Sequence, residues 1–343
     1  MSLFRSPRAR APSLFLLTLA GLLLAHVAAI AAPVEPPLDL LLSDQSRLVS
    51  GKVTEINPAG RVVFERAHVF SDYTDVPEMI DVRVSPSVLE SVAIGEQHVF
   101  AYSMTHRDKL APAGVSLNRD GAILVSSSGI EPALFADTPA LRSILKAAAS
   151  EHGRASRGLL DLLVKALAGE DAAVRALAAG QIALDPAMSG MLNAKDRKIV
   201  ERLARNPDAP PATRSLLLLA AAERPGEFGK WWREAAEEVL ASTPLDGYPS
   251  GTMDPTSLVL LAFDVFDIRE VLAPRDSLAR WLRSPNRLLL ERSNAALGRG
   301  FPAWQRQAIG EALADPSLNR ESRKYLDDQL RRLDPEQSGK ATQ

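Results

Sequence analysis

At Pro139 the spacing of apolar residues in this chain changes from every second residue to every third or fourth, and it does not change back. Side chains alternate across a strand with a period of two and return to the same face of a helix after about 3.6 residues. One hydrophobic pattern cannot satisfy both, so the chain needs a β part before this point and an α part after it. Before Pro139, Val49, Gly51 and Val53 alternate with Ser50, Lys52 and Thr54, and Ile80, Val82 and Val84 alternate with Asp81, Arg83 and Ser85. Asn57-Pro58-Ala59-Gly60 reads as a turn before an extended run from Arg61 to Phe70. Gly95-Glu96 opens a further strand around Val99 to Tyr102, and Asp120-Gly121 has the chemistry of a hairpin turn between Val115–Leu117 and Ala122–Val125. Five or six short strands at this spacing predict a small all-β barrel or sandwich over residues 47–135.

After Pro139 the residues Ala, Leu, Arg and Glu dominate. Leu141, Ile144 and Leu145 fall at helical spacing, as do Leu159, Leu160, Leu163 and Leu167. Further helices are predicted over 171–184, 196–205, 211–223, 228–241, 255–265, 275–283, 286–297, 302–314 and 319–333. Asp185-Pro186, Asn206-Pro207, Asp254-Pro255, Ser284-Pro285 and Asp315-Pro316 separate them. The expected fold class is therefore α+β multidomain, a small β domain followed by an all-α array of short antiparallel helices over 138–334. Residues 32–46 read as a Pro-rich lead-in and 335–343 as a disordered tail.

The array carries a faint internal period. Arg175 lies in Asp171-Ala-Ala-Val-Arg-Ala-Leu-Ala-Ala, Arg214 follows 39 residues later, and Arg292 a further 78, twice that distance. A period near 40 with two helices per unit belongs to helical solenoids, an irregular helical bundle being the alternative. On Asp171 to Ala179, which fits Asp-x-x-Val-Arg-x-x-Ala-Ala, the chain resembles HEAT-repeat proteins; that resemblance implies a HEAT-like array with an extended binding surface. Later units depart from the motif, and residues 226–274 break the period. Gly51-Lys52-Val53, Val62-Val63-Phe64, Ile80 to Val84 and Gly95 to Ala101 resemble the netrin-like, metalloprotease-inhibitor-like domains, which implies an OB-like barrel. Inhibition in that family relies on an N-terminal cysteine and disulfides, and this sequence contains no cysteine, so the resemblance extends to the barrel alone.

Arg5, Arg8 and Arg10 precede an apolar run from Leu14 to Val27, and Ala29-Ile30-Ala31 supplies a small-x-small processing site. Residues 1–31 are expected to be a signal peptide cut after Ala31, giving a periplasmic or secreted protein with no stable membrane span after cleavage. An uncleaved anchor over residues 11–34 is the alternative, since that stretch approaches the length of a bilayer span. Export usually invites disulfides, but here stability must come from packing, and thiol chemistry is excluded.

Little in the sequence points to catalysis. His68, His98, His106 and His152 show no metal-ligand spacing, and no metal site is assigned. Ser126 to Gly129 and Ser189-Gly190 lack the glycine of a nucleophile elbow, and Ser143 to Lys146 stands without partner motifs. Phosphate-binding glycine loops are missing, so no cofactor is expected. With Lys+Arg 40 against Asp+Glu 42, and basic residues scattered, there is no footprint for nucleic acid. Asp264 and Asp267 are three apart and share a helix face, with Arg269 expected to compensate them. Asp171, Asp254 and Asp315 read as helix caps. All four tryptophans, Trp231, Trp232, Trp281 and Trp304, lie in the α part. Trp231 and Trp232 point about 100° apart on a helix, so one of them is available to line a groove and anchor a partner unless the helix is enclosed on two sides.

The expected function is that of an exported, non-enzymatic binding or scaffold protein of a bacterial-type cell envelope, with a protein or peptide partner and Trp231 and Trp232 as candidate partner-binding residues. The alternative is an envelope glycan hydrolase whose carboxylates come together from separate helices. N-terminal sequencing of the exported protein is expected to begin at Ala32; recovery of a chain that still carries Arg5 to Arg10 would identify the anchor instead.

Overall fold

The computed structural model describes residues 34–70, 75–105, 121–127, 129–130, 132–151, 154–246 and 254–333. The expected signal peptide, Val115 to Leu117 of the expected hairpin, His106, His152 and the expected tail lie outside these residues.

Closure of the β part depends on β1 (Arg47–Asn57), which is long enough to enter two ladders. It pairs antiparallel with β2 (Arg61–Val69) along one edge and with β4 (Gln97–Thr105) along the other. The remaining strands are β3 (Met79–Arg83), β5 (Gly121–Leu124) and β6 (Leu134–Ala136). β3 pairs antiparallel with β2 and parallel with β5, and β5 returns antiparallel to β4, so five strands close a barrel in the order β1-β2-β3-β5-β4. β6 adds to β4 outside that ring. The sequence alone, which offered barrel or sandwich, gave no sign of the parallel β3–β5 pair. β1 bends at Gly51, beside a register shift in its ladder with β2. A Cβ there would stand 2.9 Å from the Glu65 carbonyl oxygen and 3.2 Å from the Phe64 Cβ, so only glycine fits the bend.

Two short helices before the α part were not foreseen, nor were two within it, Pro186–Gly190 and Pro225–Phe228. The expected lead-in ends in α1 (Pro37–Leu41), which opens on a proline at its first turn and buries Leu38 and Leu41. α2 (Pro86–Ser91) sits between β3 and β4 and buries only Val88, too little apolar periodicity to read from sequence.

The α part opens with α3 (Pro139–Ser150), capped by the Thr138 hydroxyl. Five helical hairpins follow: α4 (Arg157–Leu167) with α5 (Ala172–Leu184), α7 (Ala194–Arg205) with α8 (Pro211–Glu223), α10 (Trp232–Ser242) with α11 (Thr256–Ile268), α12 (Arg275–Trp281) with α13 (Arg287–Gly300), and α14 (Pro302–Leu313) with α15 (Arg320–Arg332). Short α6 (Pro186–Gly190) and α9 (Pro225–Phe228) join the first three. The first helices of the hairpins stack on one another as layer A, and the second helices as layer B. In the first three units the layer B helices make the more extensive contacts between neighbours. This is the helical array expected from the sequence. Layer B helices start at residues 172, 211, 256, 287 and 320, so the advance is 39, then 45, 31 and 33 residues. The sequence period therefore describes the first step only. Thr243 to Pro255 lengthen the third unit, and the seven-residue α12 shortens the fourth.

The arginine positions explain part of that period. Arg175 donates to the Gly169 carbonyl at 3.3 Å and Arg214 to the Ala204 carbonyl at 3.0 Å, each closing the C-terminal end of the preceding helix. Arg323 does the same with Leu313 and Asp315 at 2.6 and 2.8 Å. Arg292, taken from the sequence as the third repeat position, instead pairs with Asp264 and Asp267. α15 presents a charged outer face and buries only Ser322 and Leu326, the polar finish a helical stack requires. Among the described residues, no helix is long and apolar enough to cross a membrane.

The β and α parts share a core. Val49, Val53, Phe64, Val82, Phe100 and Tyr102 fill the barrel. Leu48, Val99, Ala101 and Phe135, on the opposite strand faces, join the helical core with Leu141, Leu160 and Leu177. Leu48→Ala is accordingly expected to cost about 2–5 kcal/mol. Tryptophan fluorescence from the helices and near-ultraviolet dichroism of barrel Tyr102 are expected to report one shared unfolding transition in urea; separate midpoints would show that the parts unfold independently.

Candidate functional site

Layer B carries a groove of about 460 Å³. One wall is Ala172, Ala173 and Ala176 of α5, and the other is Ala212, Ser215, Leu216 and Leu219 of α8. Leu261 of α11 lies at one end and Gly129, from the loop before β6, at another. The spacing 212, 215/216, 219 is one face of a helix over two turns, so the wall is a consequence of the 3.6-residue repeat. Small side chains on α5 leave the space open. Gly129 closes it with φ of +90°, where a Cβ would lie 3.1 Å from the Ala176 carbonyl oxygen and from the Gly180 Cα. Among the described residues, no charged side chain lines the groove.

Its polar groups gather at the start of α8. Pro210 and Pro211 open this helix, no side chain caps it, and the N–H groups of Ala212 and Thr213 make no hydrogen bond. Thr213 is 4% exposed, and Ser215 Oγ is enclosed without a partner. By contrast, α5 starts under Asp171, whose carboxylate accepts from Ala173 and Val174 at 3.0 and 3.1 Å. A groove ending on free N–H groups has the means to bind and orient a ligand.

The residues singled out in the sequence are elsewhere. Trp231 and Trp232 are each 8% exposed. Trp231 donates from Nε1 to the Phe228 carbonyl at 3.0 Å, and Trp232 meets Phe266 edge-on with ring centroids 6.1 Å apart. α10 is enclosed by α8, α11 and α12, which is the condition under which both tryptophans can pack in the core. Trp281 is fully buried, and Trp304, half-buried, lies under the Arg275 guanidinium at 4.5 Å.

Asp264 and Asp267 do share a helix face, but their compensation comes from α13 rather than from Arg269. Arg292 pairs with both, and Arg299 donates to both oxygens of Asp267 at 3.0 and 2.9 Å. The cluster is half exposed and engaged in ion pairs, a structural arrangement. His68 and His98 stand on β2 and β4, on opposite sides of β1. Among the described residues no group of His, Asp and Glu has the geometry to hold a metal ion. Asp171 and Asp254 act as caps, whereas Asp315 turns the chain after α14 and Asn319 caps α15.

Two polar clusters escaped the sequence reading because their members lie far apart in the chain. Ser189 is fully buried, donates to Glu227 and accepts from Arg224 at 2.7 Å, joining α6 to α9. A serine sealed in this way has no path to a substrate. At the other cluster, Leu38 N–H donates to Gln181 at 2.8 Å and Gln181 to Asp185 at 3.3 Å, tying α1 to α5. Burial, and then the nearby charges of Asp185 and Glu35, hold the Asp39 carboxyl above its ordinary range.

No family model, curated protein or solved structure matches this chain.

The folded state binds a proton at Asp39 more tightly than the unfolded chain does, so stability from this residue is present at low pH and lost as pH rises through the carboxylate range. Asp39→Asn is expected to raise the urea midpoint at about pH 7 and to leave it unchanged near about pH 3, where both states are protonated. An equal effect at both pH values would assign it to something other than the charge.

Proposed function

We propose that the chain is an exported, non-enzymatic binding or scaffold protein of a bacterial-type cell envelope, in which a HEAT-like array holds a protein or peptide partner and an OB-like barrel is a second contact module. The observation that carries this reading is the groove on layer B, about 460 Å³, whose described lining is mostly alanine and leucine and carries no charge. A water-exposed recess of this composition favours apolar side chains from a partner. The barrel supports the reading in a different way. Its order β1-β2-β3-β5-β4, with β3 and β5 parallel, is that of OB-type barrels, and docking through β1, β4 and β6 leaves the outer face of β2 and β3 open. Arg61, Val63, Glu65, Met79, Asp81 and Arg83 alternate on that face with the buried residues.

Cross-linking and pull-down of the exported protein from its own envelope, beside Ala176→Trp, tests the proposal. The wild type is expected to retain a stoichiometric protein partner, and the tryptophan, by filling the groove, to lower its recovery about tenfold or more at an unchanged thermal midpoint. Equal recovery from both, or retention of glycan alone, would move the assignment away from the groove.

A further inference from the structure

The uncapped end of α8 and the apolar wall beyond it face the same groove, and together they specify more than a generic peptide. The first two residues that cap or begin α8 are prolines and have no N–H to offer, so the orphan donors of this helix are those of Ala212 and Thr213. A helix N-terminus favours an anionic oxygen through these donors and the aligned peptide dipoles. A separate observation points to the same ligand. The Thr213 hydroxyl belongs to a residue 4% exposed, lines the groove and makes no hydrogen bond, leaving a third donor without an acceptor. Among the described residues, no carboxylate lines the groove to repel an anion. One and two turns further along α8, Leu216 and Leu219 offer only aliphatic surface.

We propose that this groove captures the C-terminal end of an aliphatic peptide. The terminal carboxylate accepts from the N–H groups of Ala212 and Thr213 and from the Thr213 hydroxyl, and the last side chains lie against Ala176, Leu216 and Leu219. A fatty acid shares the carboxylate and the apolar chain, but Leu216, Leu219 and Leu261 are half exposed, so the groove is an open one. An alkyl chain there would leave one side in water, whereas a peptide turns its polar backbone outward. The inference rests on the reading of the array as a peptide-binding surface and adds the chemistry of what it holds.

The test is fluorescence anisotropy of the full chain with a panel of N-terminally labelled hexapeptides, aliphatic in their last four residues, each as free acid and as C-terminal amide. The acids are expected to bind about tenfold or more tighter than the amides. Thr213→Val, which keeps the shape and removes the hydroxyl, is expected to shrink that ratio severalfold while leaving the amide unchanged. Ala176→Trp is expected to abolish binding of both. Equal affinity of acid and amide, both lost in Ala176→Trp, would overturn carboxylate capture and leave the peptide groove standing. Failure of every peptide to bind, or binding indifferent to Ala176→Trp in a protein with a wild-type melting curve, would overturn both. Displacement of the acid peptide by octanoate at lower concentration than by unlabelled peptide would assign the site to a fatty acid and overturn the peptide.

Discussion

The rest of the molecule depends on burial of both faces of β4. Phe100 and Tyr102 point into the barrel, and Val99 and Ala101, between and beside them, point into the helical core. Each large apolar side chain so placed contributes roughly 1.5–3 kcal/mol of transfer free energy. In a chain without cysteine this contribution does the joining that a disulfide does in many exported domains. β1 repeats the arrangement with Leu48 on the helical side and Val49 and Val53 inside. Both strands are thus central strands of a two-sided structure, although each belongs to a small barrel.

The two helical layers are held by different physics. Layer A neighbours are linked across units by ion pairs, Arg157 with Asp196 at 2.8 Å and Arg205 with Glu238, and these are partly exposed. The Arg205–Glu238 pair is exposed on both sides, and pairs of that kind contribute little, whereas Asp196 is buried and depends on Arg157 for its charge compensation. Layer B neighbours approach through alanine, threonine and leucine instead, and the same small residues leave the groove unfilled. Binding surface and packing thus come from one choice of side chains.

The division at Pro139, the helix over 211–223 and the caps at Asp171 and Asp254 were legible because each rests on local chemistry: period, proline and a carboxylate at a helix start. The 39-residue step from Arg175 to Arg214 was legible for the same reason, since both arginines close the helix before them. Its extension to Arg292 failed because two unlike steps, of 45 and 31 residues, intervene, and an arginine at the right distance served a different pair of carboxylates. The packing of Trp231 and Trp232 had no local signature, because it depends on how many helices surround α10. The groove itself had no sequence signature. Alanines at 172, 173, 176 and 212 are unremarkable singly, and their function arises from the alignment of two helices 39 residues apart. Asn206-Pro207 was readable as a break, but the missing cap became evident only with every donor at the start of α8 accounted for.

The sharing of β1 and β4 between two cores also has a consequence in time. A ribosome makes the barrel first, and its outer strand face, with Leu48, Val99, Ala101 and Phe135, has no cover until α3, α4 and α5 have been added. For an interval of some tens of residues the nascent chain carries an adhesive sheet surface that only its own downstream sequence can mask. A chain interrupted near residue 137 is therefore a poor free-standing domain, and gene fusions or truncations placed at that composition boundary cut through an interface instead of a linker.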